Sequence, residues 1–260
     1  MANFVLGWPN RFVYGVISTS ASEAALDGSK LANDQGSPEQ AWQSPYTSGS
    51  IRLTVPEAML WRGFGLFRTN LTTKAAVRWQ VLADVSGSSP VYDSGTIPAG
   101  IVPGYSQTIL ILPAAVVGRV IQVDIFDPTN PDGFLNIPLA YAGPLWQPAR
   151  NFDAGSSAGR TMQSTKTLTR AGGIIIRSDW VKRTFTLSLS GIRASEVQPN
   201  VMDLDLWAKR GNNVFFVPDP DSPDANQQAI LGEFETSSDV TYPNRVIEAR
   251  GWKAVITERL

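Results

Sequence analysis

Cysteine and histidine are both absent from the 260 residues. Without Cys there is no disulfide framework and no thiolate nucleophile. Without His there is no Ser-His-Asp triad and no imidazole general base. Zinc normally takes Cys or His ligands, so no ordinary zinc site remains, and haem iron loses its usual axial ligand. Charge is scarce: 17% of residues are Asp, Glu, Lys or Arg, against about a quarter in typical domains. It is also balanced, with nine cations against ten carboxylates over residues 1–150 and thirteen against thirteen over 151–260. Neither half is a basic patch, which argues against nucleic acid as a partner. Long apolar runs are missing too. The most apolar stretch, residues 109–117, contains Pro113 and is too short to span a bilayer. Residues 1–15 lack the charged start and unbroken apolar centre of a secretory leader. Carboxylate chemistry, lysine chemistry, an oxygen-ligated Ca²⁺ or Mg²⁺, or no chemistry at all survive these exclusions.

What is present is an apolar share of 43%, eight Trp, 22 Gly and 18 Pro. The periodicity is of strand type. Ala75, Val77, Trp79 and Val81 alternate with Ala76, Arg78, Gln80 and Leu82. Ile121, Val123 and Ile125 alternate with Gln122 and Asp124, and Phe185, Leu187 and Leu189 with Thr184, Thr186 and Ser188. Residues 108–112 read as a short strand closed by Pro113, residues 213–217 as another, and 245–256 as a last long strand carrying Trp252. One helical signal starts at Ser195 as N-cap and ends at Gly211, with Pro199 confining it to its later turns. Residues 142–165, rich in Gly, Ser and Pro, read as a linker or crossover. These observations predict an all-β chain. Strands about ten residues apart between Gly, Pro, Asn and Asp fit a β-sandwich or barrel, divided into 1–150 and a smaller β-rich domain with at most one short helix over 151–260.

Four groups of residues are candidates for chemistry. Asp127, Asn130 and Asp132 in DPTNPDG offer oxygens to a hard cation, but Asx and Pro at such spacing build turns on their own. Asp219, Asp221 and Asp224 lie in a Pro-rich stretch that reads as a stiff, extended surface arm suited to lying on a neighbour. Glu233 with Glu235, and Asp203 with Asp205, are the carboxylate pairs a glycosidase would need, and nothing in the pattern sets either across a cleft. Trp42, Trp61, Trp79 and Trp146 are either anchors of the sandwich or stacking platforms for sugar rings. The RGFG at 62–65 lacks the spacing of a phosphate loop. No catalytic, cofactor-binding or metal-ligating residue is assigned.

Two resemblances follow from residue order. Residues 18–23 (STSASE), 32–34, 41–44 around Trp42, 51–53, 67–72, 75–83, 119–127 and 141–143 together resemble a discoidin-type, galactose-binding-like jelly roll over roughly residues 14–147. DPTNPDG at 127–133, AGPLWQP at 142–148, NVFFVPDP at 213–220 and YPNR at 242–245 are similar to minor tail, distal tail or baseplate proteins of tailed bacteriophages. The chain departs at Asn136, Ile137 and Pro138, which interrupt the strand after Gly133.

The second resemblance implies a structural, non-enzymatic virion protein at a tail tip. It would be assembled in the host cytoplasm into a ring of its own copies, closing at six or at three, with the hexamer favoured. The ring would join tube to hub or receptor-binding parts, with tube, hub and tape-measure proteins as neighbours. Residues 151–260 would carry most ring contacts, and deletion of 222–228 would weaken assembly without unfolding the subunit. The first resemblance implies an alternative, a carbohydrate-binding module that attaches to host cell-surface glycan. An exposed aromatic cluster with polar partners at one end of the sandwich would mark it.

Overall fold

The computed structural model describes residues 3–34, 36–86, 90–241 and 249–259. Alternating apolar residues commit most of the chain to antiparallel strands, and the all-β class holds. One sheet is ordered β2 (Val16–Thr19), β4 (Ser48–Phe67), β7 (Thr108–Phe126), β5 (Ala76–Leu82) and β6 (Pro90–Pro98), with β9 (Leu139–Gly143) paired to the end of β4. A second is ordered β10 (Leu145–Trp146), β1 (Val5–Gly7), β13 (Val214–Val217), β14 (Ile230–Thr241), β15 (Ala249–Glu258), β12 (Ile174–Arg193) and β11 (Ser157–Leu168). Strands β3 (Trp42–Ser44) and β8 (Leu135–Ile137) form a small pair.

The predicted alternation sets the first core. Ile51, Val123 and Trp79 lie in one cross-strand row of β4, β7 and β5, and all three are buried. Phe64 stacks on Trp79 with centroids 5.8 Å apart. Trp61 donates its indole N–H to the Gly118 carbonyl at 2.8 Å, so its one polar atom is satisfied inside the core. Each fully buried side chain of this kind contributes about 1.5–3 kcal/mol. The second core lies between the sheet of β12, β14 and β15 and a helical segment over residues 194–209. Phe185, Leu187, Phe234, Trp252 and Ile256 face Val197, Val201, Leu204 and Trp207 there.

A third, smaller cluster joins the two. Val5 of β1, Phe67 and Tyr141 of the first sheet, and Phe215, Val217 and Leu231 of the second are buried together. Tyr141 stacks on Phe215 at 4.9 Å and donates its hydroxyl to the Pro144 carbonyl at 2.7 Å. Gly7 is required here, because a Cβ would sit 2.5 Å from the Tyr141 hydroxyl oxygen. Polar contacts close the margin. The Asn213 side chain donates to the Asp34 carbonyl at 3.0 Å, and its backbone N–H to the Asp34 carboxylate at 3.2 Å. Asn226 donates to the Gln107 carbonyl at 3.0 Å, and Gln107 donates to the Ala229 carbonyl at 2.9 Å. Strands β1 and β10 precede residue 150 yet complete the sheet built by later residues, so the first sheet and its loops are inserted between them.

Several local expectations are corrected. Pro113 does not end a strand: β7 runs through it, because residues 112–115 fall in a register shift where no partner needs the missing N–H. The helical segment begins at Arg193 as N-cap rather than Ser195, and it passes Pro199 by a π-type turn over Val197–Met202 that accommodates the lost donor. The expected linker or crossover at 142–165 narrows to the irregular chain over 147–156 between β10 and β11, and the residues flanking it are strand except Pro144. Pro138 separates β8 from β9 instead of breaking a strand. The last strand is described over Ala249–Glu258, two residues past its expected end at Ile256, while its expected start at Arg245 and the rest of 242–248 lie outside the described residues.

Two measurements test the joint. Phe215→Ala is expected to lower unfolding stability by about 3–5 kcal/mol in urea titrations, since its ring fills the cluster that both sheets share. Burial raises the Asp34 carboxyl above its ordinary value, opposed by the Asn213 backbone N–H and by Arg259. The folded state therefore binds that proton more readily than the unfolded chain. The associated stability is present in the acid range and is lost as pH rises through the raised value. Melting temperature followed against pH should show this component in the wild type and lose it in Asp34→Asn.

Candidate functional site

The sequence-selected residues are dispersed. Asp127 is fully buried, and its carboxylate accepts from the Thr72 backbone N–H at 2.8 Å, the Thr72 hydroxyl at 2.7 Å and the Asn130 amide at 3.2 Å. Asp132 instead accepts from Asn70 at 2.9 Å. This is a turn held together by its own side chains. Asp219 and Ser222 likewise accept from backbone N–H groups of Asp221 and Asp224, so the Pro-rich stretch folds into tight turns and leads into a short helix over Ala225–Gln228. It is not the extended arm that its Pro content predicts. That helix bonds to Gln107 and Gly100, so removing 222–228 would also remove contacts inside the chain. Glu233 and Glu235 share an exposed strand face. Asp205 is bound by Lys209 at 2.6 Å and Thr236 at 2.6 Å. Burial works against its charge, but those hydrogen bonds hold its carboxyl below the ordinary value. Among the described residues no three acidic side chains converge as a metal site would need.

None of the four Trp candidates is a platform. Trp42, Trp61 and Trp79 are buried, and Trp146 packs edge-on against Phe4 and Trp8 at 6.3 and 6.0 Å. The exposed aromatics are elsewhere. Tyr46 is 63% exposed and Phe126 42%, and both border an open groove of about 390 Å³ at one end of the first sheet. Ser20, Ser48, Ser50 and Asp124 complete its walls.

The groove follows from strand register. Ser48 lies opposite Phe126, and Ser50 opposite Asp124, on the outward face of β4 and β7. Arg78 of β5 lies on the other side of Asp124. A bidentate pair with Asp93, at 3.0 and 2.5 Å, holds Arg78 back from the groove. That pairing places the Asp93 carboxyl well below its ordinary value, chiefly through the hydrogen bond from Arg78. Asp124 accepts from Gln122 at 2.9 Å through Oδ1, and its Oδ2 has no hydrogen-bond partner among the described residues. The turn that carries Tyr46 is fixed at both ends. Ser44 accepts from the Tyr46 N–H at 3.3 Å, and the Asp127 N–H donates to the Thr47 carbonyl at 2.8 Å.

Trp42 contributes from beneath. Its indole N–H donates to the Ala21 carbonyl at 3.1 Å and the Ser22 hydroxyl at 3.0 Å, which positions the serine loop. Its ring lies against Gly49, where a Cβ would come within 3.1 Å. Neither ring of this groove is among the residues selected from the sequence, although two signals in it point there. Phe126 is the apolar residue in phase with polar Gln122 and Asp124, and Tyr46 stands among Ser44, Thr47 and Ser48.

A larger cavity of about 560 Å³ lies where the two sheets meet, beside Tyr105, Arg160, Arg183, Phe185 and Ile230. Its polar groups already satisfy one another. Arg183 pairs with Glu258 and donates to Gln107 at 2.8 Å, and Arg160 donates to the Tyr105 hydroxyl at 2.9 Å.

Asp127→Ala is expected to cost about 3 kcal/mol of stability, because it strips a charged acceptor from three buried or half-buried donors. Chemical denaturation of the variant checks this.

No protein-family profile and no curated protein matches the chain. Among solved structures, it is similar to a mutant of the lectin binding domain of Lectinolysin complexed with Lewis b, at 8% identity and TM-score 0.42 over 53% of this chain and 97% of that one. It is similar to a Streptococcus pneumoniae fucose binding module, SpX-3, at 7% identity and TM-score 0.41 over 53% and 98%. It is also similar to the family 32 carbohydrate-binding module of C. perfringens NanJ in complex with galactose, at 10% identity and TM-score 0.41 over 55% and 99%.

Proposed function

We propose that the first sheet is a carbohydrate-binding module and that the groove beside Tyr46 and Phe126 receives the sugar. The observation that carries this reading is the pairing of two exposed rings with Asp124, Ser20 and Ser50. The C–H face of a pyranose is apolar and stacks on an aromatic ring, while its rim of hydroxyls both donates and accepts hydrogen bonds. Asp124 Oδ2 is an acceptor for such a hydroxyl, and the serine hydroxyls serve in either sense. The groove is shallow, so it suits one or two sugar units of a longer chain at a surface. Binding of this kind needs neither metal nor general base, and the module is non-catalytic in this reading.

A second reading makes the chain a structural subunit of a phage tail tip, located in the virion and ringed with its own copies. What favours it is the insertion of the first sheet between β1 and β10. The seven-stranded unit has its own core and helical cover, which is more structure than a sugar module needs as a support. The two readings are compatible, since an assembly subunit can display a glycan-binding domain. Locating and counting the chain in intact particles by cryo-electron microscopy decides the second.

For the first, a glycan array followed by titration calorimetry on the full chain is the test. Tyr46→Ala and Phe126→Ala should each weaken binding of the best glycan by about tenfold, and Asp124→Ala by a similar factor, with the fold intact by circular dichroism. A wild-type chain that binds no glycan, or variants that bind as well as wild type, would overturn the reading.

A further inference from the structure

The hairpin of β11 and β12 extends beyond the sheet it belongs to. Strand β12 pairs with β15 only from Thr184 onward, so residues beyond the Arg160–Arg183 pair form a two-stranded ribbon that stands off the sheet. Every described residue of β11 except Ser164 is exposed. Being last in the sheet order, β11 leaves one row of backbone donors and acceptors unpaired along twelve residues. The ribbon tip is apolar: Leu168 is 72% exposed, and Ile174, Ile175 and Ile176 are 58–66% exposed. Leu168 faces Ile174 across the ribbon, and Ile176 faces Lys166 on the same side. Four branched aliphatic side chains at one solvent-exposed tip mark a contact surface.

The occupant is indicated by charge. Residues 157–182 carry five cations and one carboxylate. Between Arg210 and Arg245 the chain carries six carboxylates, including Glu233, Glu235 and Asp239, and no cation. Within one chain the two blocks do not meet. Arg160, Lys166, Arg170 and Lys182 form no ion pair among the described residues, and neither do Glu233 and Glu235. Glu233 and Glu235 stand exposed on β14, two strands inward from β12.

We propose that the β11–β12 arm of one copy docks on the acidic β14 face of a second copy, with Lys166, Arg170 and Arg177 against Glu233 and Glu235. The two surfaces differ, so the contact is head-to-tail and repeats from copy to copy. The proposal rests on the second reading above, that the seven-stranded unit assembles, and it is independent of glycan binding.

The test uses the full chain in sedimentation velocity over a series of concentrations and salt. Wild type should associate at low ionic strength and dissociate as salt rises, because exposed charges are screened within about 10 Å at 0.1 M. The triple variant Lys166→Glu/Arg170→Glu/Arg177→Glu and the double variant Glu233→Lys/Glu235→Lys should each weaken association by about tenfold or more. Mixing the two variants should restore a complex, because the reversed arm of one again meets an opposite charge on the other. Circular dichroism checks that both remain folded. A wild-type chain that stays monomeric throughout would overturn the proposal together with the assembly reading. Association that survives both variants would overturn the proposal alone. So would loss of binding to anionic vesicles in the arm variant with self-association unchanged, which would assign the arm to a lipid surface.

Discussion

The ladder between β1 and β13 is the constraint on which the rest depends. Val5 pairs with Val217 and Gly7 with Phe215, so three residues near the N-terminus are held by a strand more than two hundred positions away. Everything from residue 8 to residue 144 must leave and return within the space between β1 and β10. The buried stack of Tyr141 on Phe215 sits where that inserted chain comes back. A Cβ on Gly7 would come within 2.5 Å of the Tyr141 hydroxyl oxygen and 2.9 Å of the Leu145 side chain, so there is no room for one there. A loss of fit at this point acts on both sheets at once, because their cores share no other apolar bridge of comparable size among the described residues.

How much of this the sequence revealed depends on the range of the interaction. The rows 75–83 and 119–127 were legible because burial on one sheet face repeats every second residue, and the neighbours that bury them are themselves strands of the same pattern. Pro113 and Pro199 misled for the opposite reason. Each proline removes a donor, but a register shift in β7 and a π-type turn had already made that donor unnecessary. Whether an irregularity will absorb a proline is decided by partners elsewhere in the fold, and local pattern does not carry that information. The same holds for β1, three residues whose place comes entirely from a distant partner.

The groove shows the same division. Trp42 was visible as a residue of interest, and it does serve the site, but as the support under Gly49 and the serine loop rather than as a surface. Large aromatic side chains bury more area than any other residue type, so a Trp in a sandwich goes to the core first. The rings that reach solvent are those the backbone forces outward: Phe126, in phase with Gln122 and Asp124, and Tyr46, at the crest of a turn pinned by Ser44 and Asp127. Asp127 thus links two candidates that the sequence kept apart. Its carboxylate organises the 70–72 and 127–130 turns, and its N–H holds the loop that presents Tyr46.

The low net charge also acquires a different meaning once the residues are placed. A balance of 22 cations against 23 carboxylates suggests an even surface. The second half of the chain instead separates its charges along the sequence, basic from 157 to 182 and acidic from 211 to 244. Strand β15 lies between β14 and β12 and keeps the two blocks apart within one molecule. Segregation of this kind is costly for an isolated chain, since like charges lie close together along each block and Asp179 beside Arg177 is the one opposite charge within the basic block. It becomes favourable when the opposite block of a neighbour is available, and the apolar ribbon tip then leaves solvent in the same step. Sequence balance and spatial segregation together describe a molecule that is nearly neutral as a whole and strongly polarised along one sheet.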